Sequence, residues 1–386
     1  MNELEHGVLL IGGLRTHQPA HAAAFADHPR CRLIAVSAEP DMTEDRAALY
    51  RQLADRLGLP FIPHLDKALA RRDVDIVSST PAVEQRGDVA VRCLEAGKHV
   101  YLDKPLAGSI EDADAIVAAA ERSPGRTQMV TLNRADWVEA ARRAVTQGRV
   151  GRLMAVHAEV LFAKGRAGTV PEGTVRVEHP TPRHFTYIEA KREMFDLGVY
   201  GLAMVHALTN LSAESVFAHT GNYFFAEHVS ADVEDFGALA LKLKGGLSAT
   251  VLGGRIGWMS HPGSGPQRIV LMGTEGTAVF DGHEPRIELY NDEPDFTAPP
   301  VDPLDPMGMW AASSPRSRRR PKQRWATLSD PITPMSRDVT AFIDCIEQGR
   351  EPEMNAAAAA SILEVVFAGY LSAARGQEIS LPLARS

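Results

Sequence analysis

The first third of the chain alternates short apolar runs with helical periods, a pattern that points to a parallel sheet wound by crossover helices. Val8–Ile11 gives the first run and Leu33–Val36 the second. Leu49, Leu53 and Leu57 recur every fourth residue in the helix that follows, and Gly58 supplies its stop. Val74–Ser79 and His99–Leu102 continue the series, separated by a helix that carries Val91 and Leu94 and ends at Gly97. Ser109 and Asp112 resemble a capping box for a helix with Ile110, Ala113, Ile116, Val117 and Ala120 at helical spacing, and Met129–Leu132 closes the sheet. Six strands within about 130 residues describe a doubly wound nucleotide-binding (Rossmann) domain.

From Arg134 onward the texture changes to longer strands joined by turns. Met154, Val156, Ala158, Val160 and Phe162 alternate along one strand and Leu239, Leu241 and Leu243 along another, while Arg268–Met272 and Thr277–Phe280 flank a Gly-Thr-Glu-Gly turn. This predicts a second α/β domain with a large, mostly antiparallel sheet. One face of that sheet is apolar enough to self-associate, which points to a homodimer or homotetramer. Residues 294–334, rich in Pro, Ser and Arg, read as a long excursion, and the run Arg316, Arg318, Arg319, Arg320, Lys322, Arg324 as a solvated loop. Two helices finish the chain, the first with Val339, Phe342, Ile343 and Ile346 on one face. The expected division is 1–132 and 133–386, with C-terminal helices that could pack back on the first domain. A chain of 386 residues exceeds what one core usually supports, in agreement with two domains.

A net charge of -8 argues against nucleic acid and leaves a small molecule as the expected partner. Cys31, Cys93 and Cys345 lie far apart in apolar segments, as reduced thiols do. The first residues lack a basic, apolar leader, and no stretch reads as ~20 apolar residues, so no membrane is expected and the cytoplasm is the expected compartment.

Several motifs in order resemble one family. Glu95-Ala-Gly-Lys-His-Val-Tyr-Leu-Asp-Lys-Pro105 is similar to a strand ending in Glu-Lys-Pro, with Asp103 in place of Glu. Thr80-Pro81, Asn133-Arg134, Gly148-Arg-Val-Gly151, Asp196-Leu-Gly-Val-Tyr200, Glu234-Asp235, Gly273-Thr-Glu-Gly276 and Gly376-Gln-Glu-Ile-Ser-Leu-Pro382 continue the pattern. Together they resemble the Gfo/Idh/MocA oxidoreductases, named for glucose-fructose oxidoreductase and inositol dehydrogenase. The resemblance implies a nicotinamide cofactor held by the first domain, with Thr80, Pro81, Asp103, Lys104 and Asn133 beside it. It also implies an Asp and a His or Tyr beside the substrate, here Asp196 and Tyr200. The family's further Asp, three residues on, is Ala203 here.

The phosphate loop departs from the fingerprint. Gly12 and Gly13 are adjacent, and Leu14, Arg15, His17 and Gln18 stand where other glycines belong, depending on the register. Arg15 could compensate by meeting the pyrophosphate; otherwise the loop has lost its ligand and only turns the chain. Glu39 stands where a carboxylate accepts from the adenosine ribose hydroxyls, favouring NAD over NADP, although Ser37 and Arg46 leave the alternative open. Lys104, between a buried strand and Pro105, is expected at the reactive ring as an acid/base or as a holder of the substrate oxygen. Tyr200 lies one helical turn after Asp196, and a nearby Lys104 cation would favour its phenolate as proton acceptor; in the alternative Tyr200 packs and Lys104 acts alone. Arg134, Arg183 and His184 are weaker substrate candidates. No His, Cys or carboxylate cluster shows metal-ligand spacing, so no metal is expected.

Three functions compete: hydride transfer between a nicotinamide cofactor and a secondary alcohol or ketone of a sugar, polyol or similar metabolite; oxidation, elimination and re-reduction in one site, with net bond cleavage as in a lyase or glycosidase; and a non-catalytic sensor.

Overall fold

The computed structural model describes residues 5–163, 170–186, 190–256, 265–282, 286–290, 324–327 and 334–385. The first domain comprises β1 (His6–Ile11), α1 (Gln18–Ala26), β2 (Cys31–Ser37), α2 (Glu44–Leu57), β3 (Phe61–Ile62), α3 (Leu65–Leu69), β4 (Ile76–Ser79), α4 (Arg86–Glu95), β5 (His99–Leu102), α5 (Ile110–Arg122) and β6 (Thr127–Met129). Its six strands are parallel in the order β3-β2-β1-β4-β5-β6, the doubly wound arrangement whose crevice lies at the carboxyl ends of the strands. Val8, Leu9, Leu10 and Ile11 have no exposed surface, because β1 is covered on both faces. The Ser109 hydroxyl accepts the Asp112 N–H at 3.0 Å, so the expected cap of α5 forms.

Two details differ from expectation. The strand closing the sheet is Thr127–Met129 rather than 129–132. Its Thr127 and Gln128 are buried, and their polar atoms are satisfied by the C-terminal segment: Thr127 Oγ1 accepts from the Ala356 N–H (2.9 Å) and Gln128 Nε2 donates to Asp338 (3.2 Å). Polar residues satisfied by a distant element carry no hydropathy signal. The two-residue β3 also lies outside every apolar run.

The second domain follows through α6 (Asp136–Thr146), β7 (Leu153–Ala163), a π-helical turn Met194–Gly198, α7 (Val199–Thr209), β8 (Ala213–Gly221), α8 (Ala226–Ser230), β9 (Phe236–Leu243), β10 (Ser248–Ile256), β11 (Gln267–Gly273), β12 (Thr277–Asp281), β13 (Arg286–Tyr290), β14 (Arg324–Thr327), α9 (Pro334–Glu347), α10 (Ala356–Arg375) and β15 (Ile379–Ser380). The sheet runs β14-β13-β12-β11-β7-β10-β9-β8-β15, with β7 and β10 parallel and the other pairs antiparallel. A strand, β14, thus stands within the stretch expected to be an aperiodic excursion and begins at Arg324, the last residue of the arginine run; the rest of that run lies outside the described residues.

α7 and α10 cover one face of this sheet. A side chain at Gly253 of β10 would come within 2.6 Å of the Gly198 backbone, so glycine there lets the π-helical turn lie directly on the sheet. The C-terminal helices pack back on the first domain, α9 against α1 and α10 against α5. By length and apolarity α10 could cross a bilayer, which corrects the expectation that no stretch approaches that size. In this fold it is a core helix, with Ile362, Leu363, Val366, Ala368 and Tyr370 buried.

Candidate active site

Four segments meet at the carboxyl edge of the parallel sheet: the 12–17 loop after β1, Glu39 after β2, Thr80–Pro81 after β4 and Asp103–Lys104 after β5. Gly12 has φ +159° and a side chain there would meet Thr80 Oγ1 at 2.0 Å; one at Gly13 would strike the Tyr50 ring at 2.7 Å. Both glycines therefore let the loop seat against its own domain. Leu14 is half-buried with its N–H on the Leu49 carbonyl, while Arg15 is exposed with φ +65° and His17 is exposed.

Glu39 is buried, and its carboxylate is already engaged by the Arg46 guanidinium, the Tyr50 hydroxyl (2.8 Å) and the Ala82 N–H (2.8 Å). Through the Ala82 N–H it ties the end of β2 to the Thr80–Pro81 turn. The layout fits a dinucleotide: strand order, crevice, exposed Arg15 and a carboxylate at the end of β2 all agree. For Glu39 to accept from ribose hydroxyls, Arg46 must first swing away.

At the end of β5, Asp103 Oδ1 accepts from its neighbour's Lys104 N–H (2.8 Å) and from His17 Nδ1 (2.7 Å), while Oδ2 accepts from Arg86 (2.7 Å). Burial alone would raise the Asp103 carboxyl, but His17 and Arg86 hold it well below the usual range. Arg86 also reaches the Pro105 carbonyl, so the loop that carries Lys104 is tied from two sides. Lys104 Nζ, itself buried, donates to the Asp196 carbonyl and to Asp196 Oδ1, both at 2.7 Å. A π-helical turn widens the backbone ladder at Asp196, a distortion frequent at functional sites.

Tyr200 lies one turn on, and Lys104 Nζ sits 4.7 Å from the centre of its ring. This corrects the expected phenolate. The ammonium faces the aromatic ring, and burial, with Asp103 and Asp196 nearby, raises the phenol well above its ordinary value. Tyr200 is thus a neutral hydrogen-bond donor. Burial opposes the Asp196 charge, but Lys104, Lys191 and Arg255 hold its carboxyl below the ordinary range.

A buried ionic row behind Asp196 escaped the sequence reading. Arg255 of β10 donates to Asp196 Oδ2 (3.3 Å) and to Glu193 (2.5 Å), and His228 lies 3.4 Å from the same Glu193 oxygen. Glu193 has no exposed surface, and burial raises its carboxyl. No motif marks these residues; the available signal is Arg255 as the one charged residue of β10.

The other candidates lie apart. Asn133 Nδ2 reaches Glu353 (3.5 Å), and Arg134 pairs with Glu139 (2.9 Å) and Glu353 (3.3 Å), so neither is tied to the Lys104 cluster. Arg183 and His184 are exposed; the His184 carbonyl accepts from Arg192 (2.9 Å). The expected absence of metal-ligand spacing is corrected. His17 and His21, four apart at the start of α1, meet Asp103 from β5, each offering a ligand atom, all within 4.8 Å of one another.

A curated relative, a glycosyl hydrolase family 109 protein from a Shewanella species, is 28% identical over 155 residues, 37% of this chain and 30% of its own length. The chain thus spans less than a third of that relative. Among solved structures, an aldose-aldose oxidoreductase from Caulobacter crescentus complexed with glycerol has TM-score 0.70 at 19% identity, covering 98% of this chain and 100% of that one. A levoglucosan dehydrogenase in complex with NADH and L-sorbose has TM-score 0.74 at 17% identity and the same coverage. At these identities the likeness shows the fold. Residues 7–131 match the model of an oxidoreductase family with an NAD-binding Rossmann fold, and residues 138–279 match the GFO/IDH/MocA C-terminal domain. With a family domain matched in each half, the chain belongs to the Gfo/Idh/MocA oxidoreductases.

Proposed function

We propose that this protein is an NAD(P)-dependent dehydrogenase or reductase, with NAD the preferred cofactor, acting on a secondary alcohol or ketone of a sugar, polyol or similar metabolite. The observation that carries the reading is the Lys104 ammonium, which spends two of its three protons on Asp196 and stands beside a neutral Tyr200 at the mouth of β5. Nicotinamide, when bound, supplies the hydride chemistry; Arg15, the 12–13 backbone and Glu39 would hold the dinucleotide. Lys104 exchanges the proton at the substrate oxygen, Asp196 aims Nζ, and the Tyr200 hydroxyl, which has no hydrogen-bond partner among the described residues, donates to the same oxygen or its neighbour. Asp103 and Arg86 hold the Lys104 backbone in place. Ala203 stands where the family resemblance implies a further Asp, so this chain offers no carboxylate to a sugar hydroxyl from that position.

The test is calorimetric titration with NAD(H) and NADP(H), followed by a spectrophotometric screen of sugars and polyols. Turnover of at least one such alcohol supports the reading. Failure to bind either dinucleotide would favour the sensor. The family 109 relative motivates a second reading, redox elimination with the cofactor retained; glycoside cleavage without net formation of reduced cofactor would mark it. Self-association to a homodimer or homotetramer is proposed on the exposed Phe217 and Met272 of the sheet. Light scattering that finds only monomer removes that part.

A further inference from the structure

We propose that His17, His21 and Asp103 form a binding site for a divalent first-row transition-metal ion, built on the loop where the glycine fingerprint is lost. The two histidines are four residues apart and project from one face at the start of α1. Asp103 arrives from β5 and presents one oxygen to them, because Arg86 occupies the other. The ligand atoms lie within 4.8 Å of one another; the His17–Asp103 contact of 2.7 Å is a hydrogen bond that opens by roughly half an ångström to reach the ~3.0–3.5 Å separating adjacent ligands held ~2.0–2.2 Å from an ion.

The hydrogen bonds behind His21 fix which of its nitrogens is free. The Gln18 amide satisfies both ends when its nitrogen faces the carbonyls of Ile11 and Ser78 (3.1 Å each) and its oxygen accepts the Ser78 hydroxyl (2.9 Å). Ser78 then has only lone pairs for His21, so Nδ1 of His21 carries the proton and donates to Ser78 Oγ at 3.2 Å. Nε2 is left with a lone pair, fully buried and without a partner. Metal-binding histidines are oriented in this way by a second hydrogen bond. A simple His17–Asp103 ion pair accounts for two of the three residues and leaves the buried Nε2 unexplained; an ion accounts for all three.

Two imidazoles and one carboxylate suit Zn²⁺ and its neighbours better than Mg²⁺ or Ca²⁺. The His17 side chain is 45% exposed, which gives the ion a path in and leaves its remaining positions to water or an anionic oxygen. The site requires no dinucleotide, so its test is independent of the hydride-transfer reading.

The full, untagged chain is stripped with chelator and titrated with Zn²⁺ by calorimetry, and with Co²⁺ by visible absorption. Expected is one ion per chain at micromolar or tighter affinity, with the absorption of a four- or five-coordinate Co²⁺ centre. His17→Ala, at a position whose side chain is 45% exposed, should weaken Zn²⁺ at least tenfold while its circular dichroism matches that of the wild type. Ser78→Ala should weaken it ~10- to 100-fold by releasing the His21 tautomer. No Zn²⁺ binding by the stripped protein, or binding with the same affinity in both variants, overturns the site.

Discussion

Lys104 and Asp196 come from different domains, 92 residues apart, yet Nζ of the lysine stands 2.7 Å from both the carbonyl and the carboxylate of the aspartate. One side chain therefore joins the end of a parallel strand to a π-helical turn on the second sheet. The geometry of the crevice and the placement of the Lys104 ammonium depend on the same contact.

Lys104→Ala should remove turnover by ~100- to ~10,000-fold, the usual cost of one positioned acid/base group. It also deprives Asp196 of its first partner, so dinucleotide affinity and circular dichroism must be followed alongside rate. A variant that keeps its rate removes Lys104 from the chemistry.

Tyr200→Phe should lower the rate by ~10-fold or less while leaving the pH profile in place. The phenol is pushed up by burial and by two neighbouring carboxylates, so it stays protonated through the working range and contributes a hydrogen bond, worth ~1 kcal/mol. The ring, which carries the cation contact, is retained. A basic limb that moves in this variant would instead make Tyr200 the titrating group.

What the sequence made legible is what is local in it. The strand that ends at Lys104 is one apolar run followed by Asp-Lys-Pro, and the Asp196–Tyr200 pair is one helical turn, so both stand out without a fold. Arg86 on Asp103 and Arg255 on Glu193 are contacts across 17 and 62 residues, and no spacing rule connects them. β6 escapes the apolar pattern because two of its three buried residues, Thr127 and Gln128, are polar and are satisfied by Ala356 and Asp338, more than 200 residues away. The phenolate was expected from nearness to a cation; only the structure shows that the cation faces the ring.

Arg46→Ala should shift cofactor choice toward NAD(H). Arg46 is paired with Glu39, so a 2'-phosphate brought to that carboxylate would meet its guanidinium. Its removal frees the carboxylate for ribose hydroxyls and leaves a phosphate facing a bare negative charge. Calorimetry should find NADP(H) weakened ~10-fold or more, a loss of ~1.5–3 kcal/mol for a charged hydrogen bond, with NAD(H) held or tightened. Equal weakening of both cofactors would show that Arg46 serves only to order Glu39.

Arg255→Leu should destabilise the fold by ~3–5 kcal/mol, because among the described residues Glu193 is left buried with His228 as its one remaining ion-pair partner and the like charge of Asp196 nearby. Glu193→Gln in the same background should recover much of that loss by removing the stranded charge. Urea unfolding of the wild type, the single and the double variant measures this; a single variant within 1 kcal/mol of wild type would mean that Glu193 is already neutral.

Asp338 gives the fold a pH dependence of identifiable origin. Its carboxyl accepts from the Tyr101 hydroxyl (2.7 Å) and Gln128 Nε2 (3.2 Å) where α9 meets the first domain, and burial raises it to about 7. The folded state thus holds a proton that the unfolded chain releases near its ordinary value of 3.8. The associated stability is complete below that value, declines as pH rises between the two, and is gone above about 7, a loss on the order of 2–4 kcal/mol. Asn at this position is neutral at every pH and can still accept from Gln128. Melting temperature should therefore fall more steeply across that window in the wild type than in Asp338→Asn, with the gap opening toward neutral pH. Parallel curves would mean that Asp338 ionises normally, held by Arg134, which already lowers it from the far side.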